Sequence, residues 1–348
     1  MLSRLRDEIR RCGGWISFAR YMELVLYEPG LGYYTAGARK FGPQGDFVTA
    51  PELGSPFGRT LARQLKSLSA NAIVELGAGS GALAQVLLGQ GDFDYTILET
   101  SAELRARQQT RLGGRVKWLE RLPERIRGIV IANEVADAIP VHAVAWRPDG
   151  IMERGVAFSS GLGWDERQAQ GELLEQARAI EVPVPYESEI GLIARAWMRS
   201  LAERLDEGVI FVIDYGFPRH EYYHPQRASG TLMCHYRHQA HGDPFAHPGE
   251  QDVTAHVDFS ALADAAVQAG LDVLGYATQA QFLVNCGITE VLSEANLDNA
   301  LHYAPLAAEA QTLLSPAEMG ELFKVLALGK GVSGPLLGFT RGDRAATL

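Results

Sequence analysis

Cysteine, basic residues and long apolar runs are all scarce in this sequence, and each shortage excludes something. The three cysteines, Cys12, Cys234 and Cys286, are odd in number, far apart and never in a CxxC pair. That pattern argues against a disulfide framework and a zinc ribbon, and it suits a reducing compartment. Lys plus Arg number 32 against 42 Asp plus Glu, a net charge of −10. A partner held through many phosphates, such as duplex DNA or an anionic membrane, is disfavoured, whereas a cationic partner or an uncharged small molecule is easily accommodated. No run of 18 apolar residues occurs, so no membrane insertion is expected. The first residues, MLSRLRDEIRRCGG, have neither the apolar core of a signal peptide nor the acid-poor character of a transit peptide, and the chain reads as cytoplasmic.

What is present is ordinary for a globular protein. The 348 residues are 47% hydrophobic and 21% charged, enough to bury a sizeable core. Residues 1–70 read as an N-terminal helical and loop segment: a polar amphipathic stretch, then EPGLGYYTAGARKFGPQGDFVTAPELGSPFG, where Gly and Pro recur between aromatics. Trp15, Phe18 and Tyr21 stand at helical spacing and suit a core. From residue 72 the texture becomes AIVELGAG, GALAQVLLGQ, YTILET, SAELRARQQTRL, GIVIANEV, which is strand, helix, strand, helix, strand. That alternation predicts an α/β fold with a parallel doubly wound sheet over 71–348.

Insertions interrupt it at about 141–205, 217–256 and 278–320. The first contains a hairpin that elaborates the sheet, with Asp149-Gly150 as its tight turn, and a helix near 187–205. The second is a long polar connection carrying seven of the nine histidines. His235, His238 and His241 beside Cys234 lack well-defined zinc spacing, so no metal is expected. A structured flap over the substrate channel is the better expectation.

The strongest local signal is Glu75-Leu76-Gly77-Ala78-Gly79-Ser80-Gly81, between an apolar strand and an apolar helix. Glycines there let the backbone turn sharply and approach a ligand at the helix N-terminus. Gly77, Gly79 and Ala82 also satisfy the G-x-G-x-x-G/A form of dinucleotide binders, so an NAD-dependent oxidoreductase stays open on spacing alone. Glu75 would be a buried acid in need of a cation, such as the ammonium of S-adenosylmethionine. Glu99 ends the next strand, where a carboxylate can accept both ribose hydroxyls. The third strand ends in Asn133-Glu134-Val135-Ala136-Asp137; Glu134 and Asp137 would share one side of a helical turn facing the cleft.

Several blocks together, GDFVTAPELGSPFGRTLA (45–62), VELGAGSGALA (74–84), NEVADAIPVH (133–142), IDYGFPRHEYYHPQRASGTLMCHYRHQAHGDPF (213–245), QDVTAHVDFSAL (251–262) and ELFKVL (321–326), resemble the MidA family of class I methyltransferases. The resemblance implies a Rossmann-like, seven-stranded, mostly parallel sheet that binds S-adenosyl-L-methionine. Mitochondrial members act in complex I assembly and dimethylate a protein arginine, the 49-kDa-type subunit of respiratory NADH dehydrogenase being the target class they suggest. On this reading Glu75, Gly77, Gly79, Gly81, Glu99 and Asn133 hold the cofactor. Asp46 and Thr49, with Glu52 nearby, close over it from the N-terminal segment. Glu134 and Asp137 clamp the arginine of a protein substrate. The alternative is a non-catalytic assembly factor that keeps the fold only to bind a partner.

Overall fold

The computed structural model describes residues 1–36, 49–294 and 300–348. Seven strands build the main sheet: β1 (Ala72–Leu76), β2 (Asp94–Leu98), β3 (Val116–Leu119), β4 (Ile126–Asn133), β5 (Leu205–Phe217), β6 (Asp272–Thr278) and β7 (Phe323–Lys330). Their order is β6-β7-β5-β4-β1-β2-β3, and the two-residue strand Val257–Asp258 pairs in parallel with the end of β5, making eight strands in all. β1 to β5 run parallel, while β7 is antiparallel to both its neighbours.

The apolar runs are continuous because helices cover both faces of the sheet. Ile129 and Ile131 of β4 face one core with Phe211 and Phe57, and Val130 and Ala132 face the other with Val212 and Phe259. The chain passes outward from β1 through β2 to β3, then returns to β4 on the other side of β1. Open α/β sheets bind ligands at such a reversal, outside the carboxyl ends of the strands.

The first insertion departs from expectation. Its hairpin does not extend the main sheet but belongs to a separate antiparallel sheet of five strands: Trp15–Ser17, His142–Arg147, Gly150–Phe158, Leu162–Gln168 and Tyr186–Ile190. Arg147 pairs with Gly150, so the two turn residues are Pro148 and Asp149, one position earlier than predicted. The stretch read as a helix from 187 begins as the strand Tyr186–Ile190, and the helix runs only over Leu192–Arg204. Phe18 and Tyr21 are fully buried, whereas Trp15 lies half-buried on a strand, not on a helix.

The second insertion is less of a loop than its polarity suggests. Met233–Tyr236, Gln239–His241 and Asp252–Thr254 form a third, three-stranded sheet. Among the described residues no helix is long and apolar enough to cross a membrane.

Candidate active site

A cavity of about 760 Å³ opens at the carboxyl ends of β1, β2, β4 and β5. Thr49, Glu75, Gly77, Gly79, Glu99, Asn133, Glu134 and Asp137 all line it, so most of the expected site comes together. Asp46 lies outside the described residues. Gly81 is not in the lining. It is the left-handed N-cap of the helix Ala82–Gln90 (φ 80°), and a Cβ there would come within 3.2 Å of Leu112.

At Gly77 the backbone is also left-handed (φ 62°), and an added Cβ would stand 3.1 Å from the Val135 side chain. The loop can therefore follow this path beside the turn after β4 only without a side chain.

Glu75 has a different partner from the one its burial implied. Tyr95, two residues before the register partner of Glu75 on β2, donates its hydroxyl to Oε2 at 2.9 Å. Among the described residues no Lys or Arg pairs with it. Burial pushes the carboxyl up to about 7, against the Tyr95 hydrogen bond and with a further push from Glu99. Burial thus favours the neutral acid below about pH 7.

Glu99 is buried and accepts the Ser101 N–H at 2.8 Å and the Gln108 amide at 3.0 Å. Gln108 carries no motif and was not foreseen. Fully buried in the helix Ala102–Leu112, it also donates to the Gly79 carbonyl at 2.9 Å and accepts from the Trp118 indole at 2.9 Å.

The segment after β4 is not the helical turn that the spacing suggested. Glu134 is left-handed (φ 53°), and the next three residues curl around Asp214 at the end of β5, whose Oδ2 accepts the N–H groups of Val135, Ala136 and Asp137 at 3.1, 2.9 and 3.2 Å. Both acids still face one cavity. Glu134 Oε1 accepts from Ala50 N–H at 3.3 Å and from the Asn133 amide at 3.2 Å. Asp137 Oδ2 accepts the Tyr215 hydroxyl at 2.6 Å. Burial, then the charge of Asp137, pushes Glu134 up to about 8; burial pushes Asp137 up to about 6 against the Tyr215 hydrogen bond. Among the described residues, two buried acceptors of this site have no hydrogen-bond partner, Asp137 Oδ1 and Asn133 Oδ1.

The N-terminal segment and the third sheet complete the walls. Glu52 accepts from Ser80 of the glycine loop, and Tyr27 and Tyr34 stack at 5.6 Å between centroids. His235, Met233 and His256 line the cavity from the second insertion. His256 lies flat against Phe217, and burial holds it neutral, down to about 4. The other histidines point to no shared ligand: His238 sits in the two-residue turn Arg237-His238, and His241 pairs with Cys234 across the hairpin. Among the described residues no three His, Cys, Asp or Glu side chains are grouped to hold a metal.

The family model described as "Putative S-adenosyl-L-methionine-dependent methyltransferase" matches residues 57–277. The mitochondrial protein arginine methyltransferase NDUFAF7 homolog of Drosophila melanogaster is 29% identical, over 98% of this chain and 88% of its own length. The Danio rerio mitochondrial protein arginine methyltransferase NDUFAF7 is 30% identical, over 89% of this chain and 82% of its own. A crystal structure from Burkholderia thailandensis bound to S-adenosyl-homocysteine is similar with a TM-score of 0.96 at 49% identity, covering 100% of this chain and 96% of that one. Both curated relatives are mitochondrial, which overturns the cytoplasmic reading; that reading rested on the cysteine pattern, the lack of long apolar runs and the first residues, and cellular addresses are signals read by receptors, not consequences of the fold.

Proposed function

Since the chain belongs to this family of S-adenosylmethionine-dependent methyltransferases, we propose that it dimethylates an arginine side chain of a partner protein. The carrying observation is the lining beside the glycine loop: two carboxyls, Glu134 and Asp137, together with the orphaned acceptors Asp137 Oδ1 and Asn133 Oδ1. A guanidinium offers five N–H donors and no acceptor, so it satisfies such a lining without leaving a lone pair of its own unmatched. Among the described residues no Lys or Arg neutralises either acid, and burial raises the pKa of both.

The residues also fit the cofactor. Gly77 and Gly79 open a close approach at the helix N-terminus, Glu99 keeps lone pairs for ribose hydroxyls, and Glu75 faces the same cavity as an acid whose partner among the described residues is the Tyr95 hydroxyl. Thr49 and Asn133 border the same space. S-adenosylmethionine supplies a methyl group already activated by its sulfonium, so the protein needs alignment and exclusion of water more than bond polarisation. Glu134 orients the guanidinium. As the attacking nitrogen gains the methyl group it sheds one proton, and Asp137 is placed to accept it at Oδ1. The described part of residues 1–70 supplies the segment that closes over the cleft; the Ala50 contact to Glu134 and the Ser80 contact to Glu52 support this.

The curated relatives' names as protein arginine methyltransferases support the acceptor type. The 49-kDa-type subunit of respiratory NADH dehydrogenase is the target we propose, following the family resemblance. Mass spectrometry of arginine methylation in cells with and without the gene tests it. A dimethylarginine on that subunit, present only with the gene, is expected; an unchanged arginine methylome contradicts the reading.

A further inference from the structure

The two clamp acids have no regular secondary structure of their own to hold them. Glu134 is a non-glycine residue in the sparsely populated left-handed region, and Asp137 lies in a turn. What holds them is the strand next door. Asp214 is fully buried at the end of β5, and among the described residues its carboxylate accepts only from backbone N–H groups: three successive ones, Val135 to Asp137, on Oδ2 and that of Tyr215 on Oδ1 at 3.0 Å. Three successive N–H groups can meet one oxygen only if the chain curls around it, and the left-handed Glu134 starts that curl. The entry is fixed from the same strand, since Glu134 N–H donates to the Ile213 carbonyl at 2.9 Å. Tyr215, the next residue, holds the Asp137 side chain by Oδ2 and leaves Oδ1 open. Three consecutive residues of β5 thus set the backbone and one side chain of the clamp, and Asp214 itself does not line the cavity.

We infer that Asp214 is a positioning residue for methyl transfer, fixing the orientation of Glu134 and Asp137 toward the acceptor without contacting acceptor or cofactor, an inference that rests on the arginine-clamp reading above. Asparagine at this position keeps the size but replaces one acceptor oxygen with a donor. Either the turn or the Tyr215 N–H then loses its partner, and the clamp loosens while the glycine loop, Glu75 and Glu99 keep theirs. A misplacement of about 1 Å is enough to slow an aligned displacement by orders of magnitude.

The test compares Asp214→Asn and Tyr215→Phe with the wild type in the full chain. S-adenosyl-homocysteine is the binding probe, and lysate of cells lacking the gene, with labelled S-adenosylmethionine, is the acceptor source. For Asp214→Asn the amides of 135–137 should lose exchange protection. Affinity for S-adenosyl-homocysteine and KM for S-adenosylmethionine should stay within about twofold, while kcat falls by about tenfold or more. Tyr215→Phe removes only the hydroxyl and should lower kcat by about threefold to tenfold with the amides still protected, which keeps the test alive if Asp214→Asn does not fold. Full kcat in both variants, or cofactor affinity falling in step with kcat, overturns the inference while leaving the clamp reading in place. Label landing in the wild type on a residue other than arginine overturns the clamp reading and the inference with it.

Discussion

One amide group of Gln108 donates to both the Gly79 carbonyl and Glu99 Oε2, at 2.9 and 3.0 Å, so a single buried side chain sets the spacing between the glycine loop and the acid at the end of β2. Gln108→Leu keeps the bulk and removes the partner of three groups: a buried Glu99 oxygen and the half-buried Gly79 carbonyl and Trp118 N–H. Unpartnered buried groups cost about 1–3 kcal/mol each. Calorimetry with S-adenosyl-homocysteine should show an affinity lower by about tenfold or more, together with a lower melting temperature. Unchanged affinity would mean that the two halves of the cofactor site are held apart by something else.

Glu99→Ala should weaken S-adenosyl-homocysteine binding while the fold persists, because charge-assisted ribose contacts are worth about 1.5–3 kcal/mol each. Circular dichroism checks the fold and calorimetry the affinity. An unchanged dissociation constant would remove Glu99 from the site.

The free protein should be less stable at alkaline pH than its composition suggests. Glu75, Asp137 and Glu134 rise to about 7, 6 and 8. In each case the folded state holds a proton that the unfolded chain has released above about pH 4. Stability therefore falls as pH climbs from about 4 through 8, since the native state binds more protons across that window. Glu75→Gln keeps an acceptor for Tyr95 and removes the buried charge. It should raise the melting temperature at pH 8.5 and leave it nearly unchanged at pH 5. A variant equally destabilised at both pH values would show that the Glu75 charge is already satisfied in the free protein.

The legible parts of the fold were those governed by local pattern. β1 and β2 announce themselves as short apolar runs before helices and β4 as a longer apolar run, and the glycine loop, Glu99 and Glu134 follow from their place at strand ends. What escaped was set by neighbours distant in sequence. The strand Tyr186–Ile190 reads like the start of a helix until His142–Arg147 pairs with it. Glu75 looked like an acid seeking a cation because Tyr95, its diagonal neighbour on β2, is invisible until register is known. Asp214 and Gln108 act through backbone groups of other segments, and no spacing rule encodes such contacts.

Glu134→Gln is the most direct test of the arginine clamp, since it preserves size and polarity, keeps one acceptor oxygen and removes the charge. Parallel calorimetry with S-adenosyl-homocysteine and a labelled-methyl assay should show cofactor affinity retained and arginine methylation reduced by about a hundredfold or more, ~2.7 kcal/mol of transition-state stabilisation. Methylation at the wild-type rate, or loss of S-adenosyl-homocysteine binding with the fold intact, would contradict the assignment of Glu134 to the acceptor.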